Sequence, residues 1–167
     1  FTYASAEYCV SGSDPTPTIS GTTGGTFSST AGLSINASTG EIDLSASTAG
    51  TYTVSYLTSS NTCAVTGTFD VTITDDEDGT FTYSSTEYCK SGSNPTPTIT
   101  GTTGGTFSST AGLSINTSTG EINIAASTAG TYTVSYVTSS NLCAVTGTFD
   151  VTITDDEDGT FTYASAE

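Results

Sequence analysis

Histidine, tryptophan and methionine are missing from this chain, and lysine plus arginine amount to one residue, Lys90. Each absence excludes something. Without histidine no Ser-His-Asp relay can form, however many serines and threonines are present. Two cysteines per eighty residues with no histidine make a poor zinc site. Seventeen acids against one base give a formal charge of −16 at pH 7. Binding a nucleic-acid backbone needs clustered Lys and Arg, so no nucleic-acid partner is expected. Attraction to an anionic membrane surface is disfavoured for the same reason. No apolar run approaches the roughly twenty residues of a membrane-spanning helix, so no membrane insertion is expected in this segment. A secretory leader pattern is also lacking, as are helix signals.

What is present is repetition. Residues 1–80 recur as residues 81–160 with about eleven substitutions, and FTYASAE at 161–167 begins a third copy. Short solenoid repeats cannot fold alone, but a unit of eighty residues can. The expected organisation is therefore one domain over 1–80, a second over 81–160, and the first strand of a third over 161–167. A chain that breaks off inside a copy is expected to be a piece of a longer protein.

Within one copy, short alternating runs rich in Thr, Val, Ile, Tyr and Phe are punctuated by Gly, Ser, Asn and Pro, which is a strand pattern. PTPTIS (15–20) reads as an edge strand, because its prolines cannot donate to a ladder. LSINASTGEIDLS (33–45) reads as a hairpin. TYTVSYLTS (51–59) places Tyr52, Val54 and Tyr56 on one face, and CAVTGTFDVTIT (63–74) does the same with Phe69, Val71 and Ile73. About seven short strands predict an all-β fold: tandem immunoglobulin-like, mostly antiparallel β-sandwiches in an elongated string. Ile35, Val54, Phe69, Val71 and Ile73 are expected to point inward, and Tyr52 suits a tyrosine corner.

A domain this small is marginal without help. The cysteines offer it: Cys9 and Cys63 in the first copy, Cys89 and Cys143 in the second, at identical spacing. The simplest assignment is one disulfide inside each copy, Cys9–Cys63 and Cys89–Cys143, with buried thiols as the other reading. Disulfides imply an oxidising place, extracellular or cell-surface.

The charge is concentrated. Asp75, Asp76, Glu77 and Asp78 follow one another between the copies, and Asp155, Asp156, Glu157 and Asp158 repeat them, so eight of the seventeen acids lie in two short segments. Hard divalent ions relieve such repulsion, and calcium takes six to eight oxygens. Glu87, on the next copy's first strand, would add a ligand to the first group if that strand folds back, and Glu167 would do so for the second. Glu7 is their counterpart in the first copy. Two plainer readings stand beside calcium: a solvated linker, and a hairpin closed by the Asp-Gly turn. The spacing is not that of an EF-hand. Outward threonines (Thr51, Thr53, Thr72, Thr74) suit a solvated strand face. Tyr3, Tyr8 and Tyr83 are the candidates for sugar-stacking platforms.

GGTFSSTAGLSINASTGEIDLSASTAGTYTVSY followed by FDVTIT resembles the Ig-like and cadherin-like modules of bacterial surface proteins. With an early Tyr-Cys and a later Cys, it is similar to tandem repeats of giant surface adhesins and gliding-motility adhesins of Bacteroidetes. The likeness covers about fifty of each eighty residues. It implies a non-catalytic stalk or spacer segment of a cell-surface adhesin or filament, whose partners are neighbouring repeats, with any cell-surface or glycan ligand elsewhere in the protein. In such a chain the Asn36-Ala-Ser and Asn116-Thr-Ser acceptor patterns are expected to be turns. The rival reading is a multivalent, low-affinity glycan-, ice- or cell-binding module.

Overall fold

A computed structural model describes residues 1–59, 62–140, 142–160 and 162. Glu167 and nearly all of the expected third-copy strand lie outside the described residues. The chain forms two compact units. Unit 1 comprises Phe1–Asp76 together with Ser140–Cys143, and unit 2 comprises Glu77–Ser139 together with Ala144–Glu167.

Unit 1 contains β1 (Glu7–Cys9), β2 (Thr26–Ser29), β3 (Ser34–Ile35), β4 (Ile42–Asp43), β5 (Gly50–Leu57) and β6 (Thr66–Thr74). Its larger sheet has the order β1-β6-β5-β2. β5 and β6 run antiparallel, with Val54 opposite Phe69 and Tyr52 opposite Val71. The opposing layer is the β3–β4 hairpin, with Ile35 opposite Ile42, and a bridge between Thr2 and Thr18. The expected proline-rich edge strand shrinks to that bridge, since its prolines supply no donors. The fold is an all-β sandwich.

Alternation builds the core. Tyr52, Val54 and Tyr56 are buried on β5 while Thr51 and Leu57 face out. Val71 and Ile73 do the same on β6, and Phe27, Leu33, Ile42 and Leu44 close the core from the other elements. Ile35 and Phe69 pack on it half-buried. Burying each large apolar side chain contributes about 1.5–3 kcal/mol. The Tyr52 hydroxyl donates to the Thr48 carbonyl at 2.7 Å, tying down the corner before β5. Asn36 caps its own turn, its Oδ1 accepting from the amides of Ser38 and Thr39. That turn ends at Gly40, whose φ of 74° suits glycine; an added Cβ would also meet Pro17 Cγ at 2.7 Å.

One pairing is parallel. The chain crosses from the smaller layer near Thr2 and enters beside β6 as β1, with Cys9 opposite Thr74. This register decides where Cys9 lies.

Unit 2 contains β7 (Phe81–Thr82), β8 (Glu87–Cys89), β9 (Thr98–Ile99), β10 (Thr106–Ser109), β11 (Gly130–Val137) and β12 (Thr146–Thr154). Its sheet has the order β10-β11-β12-β8, again with one parallel pair, Cys89 opposite Thr154. β7 pairs with β9. The Asp-Gly hairpin reading is thereby corrected: β6 pairs with β5 and β1, and the strand after the acidic segment goes to β9. The amide of Asp78 donates to Thr102 Oγ1, and the amide of Thr102 donates back to the Asp78 carbonyl. These bonds lead the segment onto the body of unit 2.

Candidate functional site

The chemistry-bearing residues collect at one end of each larger sheet, where a tyrosine-cysteine strand lies beside the start of an acidic segment. In unit 1 the parallel register brings Cys9 level with Thr74, two residues before Asp76. Ser11 Oγ donates to Asp76 Oδ1 at 2.8 Å.

Cys9 is disulfide-bonded to Cys143, 134 residues away, with Cα atoms 5.5 Å apart. The expected Cys9–Cys63 and Cys89–Cys143 pairs are corrected by this bond. The reason lies in β6. Cys9 sits at its Thr74 end, whereas Cys63 precedes its Thr66 end. Eight residues of strand separate those levels by about 26 Å, and a disulfide needs Cα atoms within about 7 Å. The same holds along β12, with Cys89 at the Thr154 end and Cys143 before Thr146. Cys63 and Cys89 are exposed thiols.

The sulfurs of Cys9 and Cys143 and an oxygen of Asp76 lie within 4.8 Å of one another. With the sulfurs bonded together, one carboxylate is left, too few donors for a hard cation. Among the described residues no three carboxylates come that close.

In unit 2, Glu87, Cys89, Ser91, Asp155, Asp156 and Glu157 line an open groove of about 550 Å³. Glu87 therefore shares a groove with the acids that end its own copy. Ser91 donates to Asp156 Oδ1 through its hydroxyl at 2.7 Å and its amide at 3.0 Å. These two bonds, helped by the Lys90 charge, hold the Asp156 carboxyl below the usual range. Lys90 Nζ pairs with Asp155 Oδ1 at 2.8 Å, an exposed contact of small energy.

Asp78 and Asp158 each bind the threonine two residues on. The amides of Thr80 and Thr160 donate to them at 2.9 and 2.8 Å. For Asp78 the Thr80 hydroxyl lowers the carboxyl most and its amide next; for Asp158 the Thr160 amide leads. Asp75 is exposed, and Asp76 and Glu77 are half-buried.

The tyrosine candidates are placed differently from the platform reading. Tyr3 and Tyr83 are 5% and 6% exposed, and Tyr8 packs half-buried on the core. The hydroxyls of Tyr3 and Tyr83 donate to the carbonyls of Gly40 and Gly120. Burial, with Tyr8 adding a smaller effect, pushes the Tyr3 phenol up to about 12, and burial shifts Tyr83 in the same direction. They are core residues with a polar handle. On the outer face Thr51 and Thr72 share a hydrogen bond of 3.0 Å and Thr53 donates to Asp70, so the threonines partner across strands.

No family model matches the chain, and no curated protein does. It is similar to solved all-β structures. A SusE-like surface-located polysaccharide-binding protein from the Bacteroides thetaiotaomicron heparin utilisation locus is 16% identical, with a TM-score of 0.38 over 79% of this chain. The match spans 29% of that protein. The first two extracellular cadherin domains of human protocadherin-24 are 12% identical, with a TM-score of 0.33 over 81% of this chain and 83% of that one. A chimeric titin Z1Z2 gives 16% and 0.30 over 93% of this chain and 97% of that one.

Proposed function

We propose that this chain is a stalk segment of a repetitive extracellular adhesin or surface filament, built to carry tension. One observation carries the reading: the disulfide joins residue 9 to residue 143. Residues 10–142 then form a covalent loop. Traction on the two ends of the chain passes through the Cys9–Cys143 bond and leaves that loop unloaded. A disulfide also belongs in an oxidising, extracellular setting. The acidic segments have a second role in this reading. Their carboxylates, with Glu87 in the unit 2 groove, would take up calcium weakly and stiffen the stalk.

Single-molecule stretching tests the first part. The oxidised chain should extend only through its terminal residues. Reduction should release a further contour length of about 450 Å, from 134 residues at roughly 3.4 Å each. Equal extension before and after reduction would remove the reading.

A further inference from the structure

We infer that Cys89 is a disulfide site for a third copy of the repeat, its partner being the cysteine eighty positions beyond Cys143 when the repeat is continued past Glu167. This pairing deepens the stalk reading and rests on it, because it needs copies that follow one another along one chain.

The Cys9–Cys143 bond supplies the pattern. Cys9 is the first cysteine of the first copy, and Cys143 is the second cysteine of the second copy. The same rule applied one copy later joins Cys89, the first cysteine of the second copy, to the second cysteine of the third. The alternative within the second copy is closed: Cys143 is bonded to Cys9 and precedes the Thr146 end of β12, whereas Cys89 lies at its Thr154 end.

The seat is built alike in both copies. Residues 7–11 and 87–91 differ only in Val10 against Lys90, and residues 74–77 and 154–157 are identical. Cys9 lies opposite Thr74 and Cys89 opposite Thr154, both in parallel pairing. The amides of Val10 and Lys90 donate to the carbonyls of Thr74 and Thr154, each at 3.0 Å. Ser11 and Ser91 donate to Asp76 and Asp156 at 2.8 and 2.7 Å. An oxygen of Asp76 lies within 4.8 Å of the Cys9 and Cys143 sulfurs. Its counterpart Asp156 lines the groove of about 550 Å³ together with Cys89. The substituted Lys90 is held at Asp155, 2.8 Å away. Cys89 is an exposed thiol, whereas Cys9, with its partner in place, is 8% exposed.

The covalent step is thiol–disulfide exchange with a small-molecule disulfide such as oxidised glutathione. The Cys89 thiolate attacks it, releasing one glutathione thiolate and forming a mixed disulfide. The thiolate of the third copy's second cysteine then displaces the other glutathione thiolate. Two protein thiols lose two electrons and two protons, and the reagent gains them as two thiols.

The test extends the 167-residue chain past Glu167 with the sequence of residues 88–160, oxidises it in a glutathione couple and maps its disulfides without reduction. Cys89 should be linked to the added copy's second cysteine, beside an unchanged Cys9–Cys143 bond. Iodoacetamide should label Cys89 about tenfold more slowly than in the unextended chain, because a bonded sulfur offers no thiolate. Serine in place of the added copy's second cysteine should restore fast labelling of Cys89, and Cys89→Ser should leave that added cysteine open to the reagent. Cys89 left reduced, or bonded to any other cysteine, with Cys9–Cys143 intact would overturn the inference and leave the stalk reading standing. The same links after oxidation in urea would also overturn it, since an unfolded chain pairs without the seat. Loss of Cys9–Cys143 in the unextended chain removes the stalk reading, and the inference with it.

Discussion

The two copies share nearly all their residues, yet their ends differ. Cys9 is 8% exposed and its counterpart Cys89 belongs to the exposed class; Cys143 is 4% exposed and its counterpart Cys63 belongs to the exposed class. Val65 is 63% exposed where Val145 is half-buried. None of these residues is substituted between the copies. Their cores do not differ: Val54 and Val134, Ile42 and Ile122, Val71 and Val151 are all fully buried. The interior of a repeat is decided by its own alternation. Its ends are decided by what is seated on them.

The sharpest way to break this comparison is to reduce the bond at one end. A loop of 134 residues is worth about 5 kcal/mol in the chain-entropy model. Both cysteines belong to unit 1, so reduction should cut amide-exchange protection there far more than in unit 2. Equal losses in both would show that the ends are not distinct.

The cores should respond alike. Phe27 and Phe107 are 2% and 1% exposed, each packed at a tilt against a tyrosine, Tyr56 at 4.5 Å and Tyr136 at 4.6 Å between ring centroids. Phe27→Ala and Phe107→Ala should each cost about 3–5 kcal/mol in denaturant unfolding. Unequal costs would show that the seated end reaches into the core.

Tyr3 gives a smaller effect with a pH signature. Its phenol ionises near 10 when unfolded and at about 12 when folded. The folded state therefore holds the proton longer, and this contribution is complete below pH 10. It is lost as pH rises from about 10 to about 12. Tyr3→Phe should flatten that fall while costing about 1–2 kcal/mol at neutral pH through the lost bond to Gly40. An unchanged alkaline slope in the variant would show that Tyr3 does not hold its proton.

Calcium should give the smallest signal. Calorimetry is expected to show weak binding, about 10⁻⁴ to 10⁻³ M as in extracellular modules. Asp156→Asn with Asp158→Asn should weaken it more than Asp76→Asn with Asp78→Asn, because Cys143 already lies beside Asp76. No heat, with unchanged small-angle scattering, would leave the segments as solvated connectors.

Much of the interior is legible in the residues. The period-two runs at 52–56 and 69–73 name the buried face because successive strand side chains point to opposite sides. The tyrosine corner at Tyr52 follows from its place at the start of a strand. Tyr3 and Tyr83 are ambiguous in sequence: a tyrosine near a strand end reads equally as platform or core, and only packing shows that the hydroxyl reaches Gly40 or Gly120. Nearness in sequence points Glu87 to the preceding acidic segment. The parallel pairing of β8 with β12 takes it to the following one.

The sequence by itself determined the all-β sandwich, its core and its repeat, since alternation and turn chemistry act over a few residues. It did not determine which cysteine meets which. Shifting a repeat by eighty residues leaves every spacing unchanged, so pairing within a copy and pairing to the next copy look alike on paper. Only the tertiary structure separates them: β6 is long enough to hold Cys9 and Cys63 at opposite ends, beyond the reach of a disulfide, and Cys143 is the sulfur within reach of Cys9.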